Sequence, residues 1–170
     1  MSSTLLFFLC APYSFCIRKR HFLMTFFMSL LFMDFALFLH FSTCLMMCGV
    51  IWIVQIVHYP TFFMIHELSF KDFQKFHMTS ISYIVMPLMI TELLTAIWLV
   101  INIKGVASLT NLSLLILTWL STFLLSVPAH KKLELKRSDT SIFTLVRTNW
   151  PRTLLWSART IALFIYILNK

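Results

Sequence analysis

Glycine is almost missing from this chain: Gly49 and Gly105 are the only two in 170 residues. That excludes a glycine-rich phosphate loop, in which bare backbone must approach the ligand. Charge is scarce as well. Charged residues make up 12 % of the sequence, against ~25 % in soluble domains. Acidic residues are the scarcest of these, with six Asp and Glu against fourteen Lys and Arg. The four cysteines, Cys10, Cys16, Cys44 and Cys48, fit neither a zinc spacing nor a dense disulfide framework. No nucleophile–base motif is visible.

What fills the sequence is hydrocarbon. Hydrophobic residues reach 59 %, against ~45–50 % in soluble domains. They gather in long runs nearly free of charge, which identifies segments that face lipid. The net charge of +8 would suit nucleic acid or anionic lipid. Its basic residues flank the apolar runs rather than forming a stripe, which favours lipid and excludes nucleic acid.

Residues 1–33 read as an N-terminal extension. Ser2 to Ile17 is apolar but short and interrupted by Pro12, and the cluster Arg18-Lys19-Arg20-His21 follows. The cluster and the apolar run after it mimic a signal peptide, but no small-residue cleavage site follows. Met24, Met28 and Met33 are alternative starts, so a translation-start artefact or a partly helical extension is expected here. Residues 34–170 predict an all-α, polytopic four-helix transmembrane bundle. Its helices are expected at about 35–58, 81–103, 109–127 and 151–168. Pro60 and Pro128 are expected to stop the first and third. Pro151 is expected to open the fourth, with Asn149 as its cap. Residues 61–78 predict an interfacial amphipathic helix, with Phe62, Ile65, Ser69, Phe73 and Phe76 at helical spacing and Lys71, Asp72 and Lys75 opposite. Residues 129–150 are polar and basic and predict a water-exposed loop.

Eight basic residues (Lys71, Lys75, Lys131, Lys132, Lys136, Arg137, Arg147 and Arg152) fall on one side of this topology. Five at most (Lys104, Lys170, Arg18, Lys19 and Arg20) fall on the other. The positive-inside bias therefore places the two long basic loops in the cytoplasm.

Polar residues inside the spans are the candidates for function. His40, Cys44, Cys48, Ile51, Gln55 and His58 recur every three or four residues and form one stripe. An exposed Gln or His is costly in lipid, so the stripe should face other helices. Glu92 lies mid-helix and must be neutral, paired or in water. Asn111, Thr118, Thr122 and Ser126 form a hydroxyl-rich stripe of the kind that packs helices closely. Arg152, Trp156 and Arg159 share one face of the last helix, and Arg159 is expected to pair with Glu92, each charge alone being costly in hydrocarbon.

The topology brings these residues toward the cytoplasmic half. His58 and His130 are the acid–base candidates. Gln55, His77, Glu92, Asn149, Arg152, Trp156 and Arg159 are the binding candidates. Without an H-x-x-H or H-x-x-x-H pair, a metal site is not expected, and no cofactor is named by any motif. Such a cluster suits a membrane-soluble aromatic or quinone-like molecule, bound or converted. A small transporter, a proton-linked accessory subunit or a purely structural protein would draw on the same residues. The bilayer is the expected partner, and a homo-oligomer is compatible with so few spans.

The strings IVQIVHYPTFFMI, FQKFHMTS, MPLMITELLTA, WLSTFLLSVPAHKKL and LVRTNWPRTLLWSAR carry a resemblance over about residues 35–165. The chain resembles uncharacterised bacterial four-helix membrane proteins and, more distantly, the anthrone-oxygenase-like membrane family of unknown function. The shared marks are Tyr59-Pro60, Val127-Pro128 with Leu133, and Asn149 with Arg152. His130 departs from the distant family, which often has Asn there. The resemblance implies a four-helix bundle in a bacterial inner membrane and transfers no catalytic residue.

Overall fold

A computed structural model describes the backbone from Leu6 to Lys170, and side chains from Leu31 onward together with Met24 and Met28. Most of the expected N-terminal extension therefore lies outside the described side chains. The chain divides after Ala36 into a short N-terminal unit, the beginning of one helix, and a second unit, Leu37–Lys170. Every site below lies in the second unit.

The described residues are helical apart from short corners and include no strand. In order they form α1 (Leu6–Ile53), a π turn (Val54–His58), α2 (Tyr59–Thr61), a 3-10 turn (Phe62–Met64), α3 (Glu67–Ile103), α4 (Val106–Ser121), a second π turn (Thr122–Ser126), α5 (Val127–Leu135) and α6 (Asp139–Leu168). Three stretches, Leu31–Met64, Glu67–Ile103 and Val106–Leu135, are long and apolar enough to cross a membrane.

Pro60 and Pro128 do not stop their helices as expected. A proline ring clashes with the carbonyl four residues back, here Ile56 and Leu124, and donates no N–H. Each of those carbonyls lies within a π turn. Tyr59 N–H bonds Val54 O, and Val127 N–H bonds Thr122 O, each five residues back. The wider turn accommodates the ring and the helix runs on.

The expected interfacial helix over 61–78 is not a separate element. After the 3-10 turn, His66 caps α3, its ring nitrogen accepting from Leu68 N–H at 3.4 Å. The helix then runs unbroken through Ser80, where no residue forces a break, and past Pro87. Its inward face also differs from the expected one. Phe70, Gln74 and His77 are buried, whereas Phe76 is 71 % exposed.

The expected loop over 129–150 is helical too. Leu133, Ile142 and Leu145 are buried at helical spacing beneath a charged outer surface, so composition concealed an amphipathic pattern. α6 starts at Asp139, where Ser138 Oγ accepts from Ser141 N–H at 3.1 Å. Pro151 lies in the helix interior, and Asn149 is buried in the bundle rather than capping. At the α3–α4 corner the left-handed conformation (φ 47°) falls on Lys104, and Gly105 takes the extended position before α4.

Two apolar clusters hold the second unit together. Tyr59, Phe62, Phe70, Leu133, Ile142 and Leu145 pack at the end where α2, α5 and the first turns of α3 and α6 meet. Cys44, Met47, Ile51, Met89, Trp156 and Leu163 fill the middle. The polar groups lie between and beyond them.

Candidate functional site

The polar side chains form two sets. The first begins where the π turn of α1 delivers His58 beside α3. His58 Nε2 and His77 Nδ1 share a proton at 2.7 Å, and their ring centroids lie 4.4 Å apart. The His77 ring also lies 5.6 Å from that of His130, which α5 supplies just after the second π turn. Gln74 Nε2 donates to His130 Nδ1 at 2.9 Å. The proton of that imidazole therefore sits on Nε2 and goes to the Tyr59 hydroxyl at 3.0 Å. Phe62 packs edge-on against His58 and His77 and fixes both rings.

Arg152 completes this set from α6. Its Nη1 donates to Ser126 Oγ at 3.1 Å and to Asn149 Oδ1 at 3.2 Å. Its guanidinium carbon lies 5.4 Å from the Trp156 ring centroid. Arginine only donates, so the Asn149 amide orientation is fixed, and Nδ2 donates to Gln55 Oε1 at 2.8 Å. Gln55 in turn donates to Val146 O at 3.2 Å. Replacing Asn149 by Leu would strand Gln55 and Arg152. A loss of about 1–3 kcal/mol is expected from unpaired buried groups, read as a lower midpoint for unfolding in detergent.

A cavity of about 160 Å³ opens beside these groups, with Tyr59, His77, Ser126, His130 and Arg152 at one end. Met47, Val85, Met89 and Trp119 form its apolar wall. Three buried nitrogens of lining residues, His77 Nε2, Trp119 Nε1 and Arg152 Nε, have no hydrogen-bond partner. Met86 and Phe123 also line it, at 49 % and 55 % exposure, so the opening lies between α3 and the second π turn on the apolar exterior.

The second set lies deeper. Arg159 Nη1 and Glu92 Oε2 pair at 3.3 Å, and neither side chain has any exposed surface. Trp156 Nε1 donates to the same carboxylate oxygen at 3.2 Å. Arg159 Nε donates to Asn111 Oδ1 at 3.2 Å. Asn111 Nδ2 consequently donates to His40 Nε2 at 3.2 Å, and His40 Nδ1 carries the proton toward Thr95 Oγ1 at 2.8 Å. The Thr95 hydroxyl passes its own proton to Thr91 O at 2.7 Å.

The expected Glu92–Arg159 pair thus forms, but the expected single cluster is two. His77, His130 and Arg152 line the first cavity. His58 reaches it only through His77, and Gln55 and Asn149 brace Arg152 from behind. Trp156 stands between the sets, while Glu92 and Arg159 belong to the second. Among the described residues, no group of three His, Cys, Asp or Glu is placed to hold a metal ion.

Tyr59, Gln74 and Trp119 were not among the expected site residues. Gln74 was legible as the partner of His77 and Phe70 at helical spacing, a stripe hidden by the more conspicuous phenylalanines beside it. The role of Tyr59 depends on the π turn and left no signal in the sequence. No family model matches the chain, and neither curated proteins nor solved structures give a match.

Proposed function

We propose that this chain is a four-span integral membrane protein that binds a membrane-soluble, single-ring aromatic or quinone-like molecule in the histidine cavity. Treating α6 as the fourth span rests on its two faces. Arg152, Trp156 and Arg159 point inward, whereas Leu154, Ile161, Phe164 and Ile165 are exposed. That is the inverted polarity of a bundle in lipid. In this reading the histidine end lies at the cytoplasmic side of a bacterial inner membrane. Lys71, Lys75, Lys131, Lys132 and Lys136 are all exposed there.

The observation that carries the proposal is the pairing of an apolar cavity with stranded polar atoms. An apolar cavity of about 150 Å³ accepts a benzene ring, and this one is about 160 Å³. His77 Nε2 and Trp119 Nε1 await partners on its wall. A carbonyl or hydroxyl oxygen on a ring would meet them, and any tail would leave past Met86 and Phe123 into lipid. Half-exposed His58, bonded to His77, offers a proton route from such a ligand to the membrane surface.

The proton-conducting alternative fares worse. A proton wire needs groups that both give and accept. Here Trp156, a donor only, stands between the two sets, and the members on either side of it on α6, Arg152 and Arg159, are donors only as well.

Tetramethyl-benzoquinone, which has no open ring position for thiols to attack, is the probe. Titrated into the protein in detergent, it should quench tryptophan fluorescence saturably. Trp119→Phe should abolish most of the saturable part. His77→Phe should weaken binding roughly tenfold, equivalent to about 1–1.5 kcal/mol for one hydrogen bond. Quenching that rises linearly with probe, the same in all three proteins, would show partition into detergent and end the proposal.

A further inference from the structure

We infer that the cavity at the far end of the bundle is a second binding site, built for a neutral carbonyl compound with an apolar body. It measures about 190 Å³ and shares no lining residue with the histidine cavity, so it is independent of the quinone site above and rests only on α6 as a membrane span. Leu37, Leu99, Leu114 and Leu163 supply apolar walls, and Arg159, Asn111 and His40 close the inner end. Arg159 has no exposed surface, yet its Nη2 has no hydrogen-bond partner.

The hydrogen-bond directions decide what this end can recognise. His40 is satisfied at both nitrogens and offers a ligand nothing. Ser108 Oγ is spent on Gly105, donating to its carbonyl at 2.8 Å and accepting from its N–H at 3.2 Å. At the inner end what remains is Arg159 Nη2 and the second proton of the Asn111 amide, both donors, whereas Thr110 and Tyr166, whose hydroxyls give and accept, line the cavity at more exposed positions. The ligand atom that reaches the inner end must therefore be an acceptor.

Charge decides the rest. The single guanidinium is already matched by Glu92 at 3.3 Å. A carboxylate would bring a second negative charge against Glu92 with no cation left over, in a region where charge is weakly screened. A ketone, ester or amide oxygen accepts the same N–H groups without that cost.

Depth excludes the glycerol esters of bilayer lipids as the source. Arg159 lies about 14 Å along α6 from its end at Leu168, by helical rise. Half of a hydrocarbon core about 30 Å thick is close to that distance. The guanidinium therefore sits near the midplane, below the lipid ester level, and a free amphiphile must reach it. Ala107 on α4 and Ala162 on α6 are exposed wall residues, and their short side chains leave the way in.

The test uses the full chain in lipid nanodiscs and methyl hexyl ketone isotope-labelled at its carbonyl carbon. NMR should show a second carbonyl resonance, displaced downfield by hydrogen bonding, that saturates at one ligand per chain. Ala162→Leu, which fills the entrance, should erase it while the protein keeps its size-exclusion profile. Ala107→Leu, from the opposite wall, should do the same and serves if the first variant is unstable. Octanoate labelled at its carboxyl carbon should give no saturable signal. Absence of a displaced ketone resonance would overturn the inference, as would its persistence in both filled variants. Saturable octanoate without ketone binding would mark an anion site and equally overturn it.

Discussion

Glu92→Leu is expected to be the most damaging single substitution in this protein. It leaves the Arg159 guanidinium buried with no counter-charge, and removing one member of a buried ion pair costs about 3–5 kcal/mol. Trp156 Nε1 loses its acceptor in the same stroke, since both donors converge on Glu92 Oε2. Arg159→Met should cost a comparable amount by isolating the carboxylate. The double variant should be more stable than either single one, because a well-packed apolar pair often replaces a buried ionic pair without loss. Mixed-micelle unfolding with SDS would read all four corners of the cycle. An unfolding midpoint unchanged in Glu92→Leu would remove the pair from the structural account.

Phe62→Ala should come next, at about 3–5 kcal/mol by the usual cost of emptying a buried aromatic site. Phe62 is fully buried and packs on His58, Tyr59, Phe70, Phe73 and His77. Its loss should also loosen the His58–His77 pair, so quinone quenching should weaken along with stability. Phe62→Leu keeps most of the volume and should restore stability further than ligand binding, because the edge-on ring contacts are not replaced. If Phe62→Ala unfolded at the same midpoint as the parent, the cluster would have no part in holding this end together.

The core of the bundle was legible because lipid penalises stray polarity. Glu92 and Arg159 are single charges at matching depth on different helices, and each had to find the other. The His40–His58 stripe turned inward for the same reason. The segments 61–78 and 129–150 were harder. Lys71, Lys75, Lys131, Lys132, Lys136 and Arg147 made them resemble surface, yet helices at a membrane boundary carry charge on one side and bury the other. Leu133, Ile142 and Leu145 held that information at helical spacing. Pro60, Pro128 and Pro151 misled most directly. A proline in helical sequence ordinarily signals an end, and here two are absorbed by π turns and the third by the interior of α6. The separation into two cavities depends on side-chain directions around Trp156, which spacing along a single helix does not give.

The two π turns have a genetic consequence. A π turn holds one residue more than regular helix, so removing a single codon from 54–58 or 122–126 would restore ordinary pitch. Side chains beyond the deletion would keep their facing, because the wide turn had absorbed the extra residue, but the ring of Pro60 or Pro128 would now meet the carbonyl four residues before it. That clash would bend the helix beside His58 and Tyr59 in one case, or beside His130 in the other, while the apolar exterior still matched lipid. In-frame deletions at these two places should therefore yield protein that inserts and accumulates in the membrane yet shows no saturable quinone quenching.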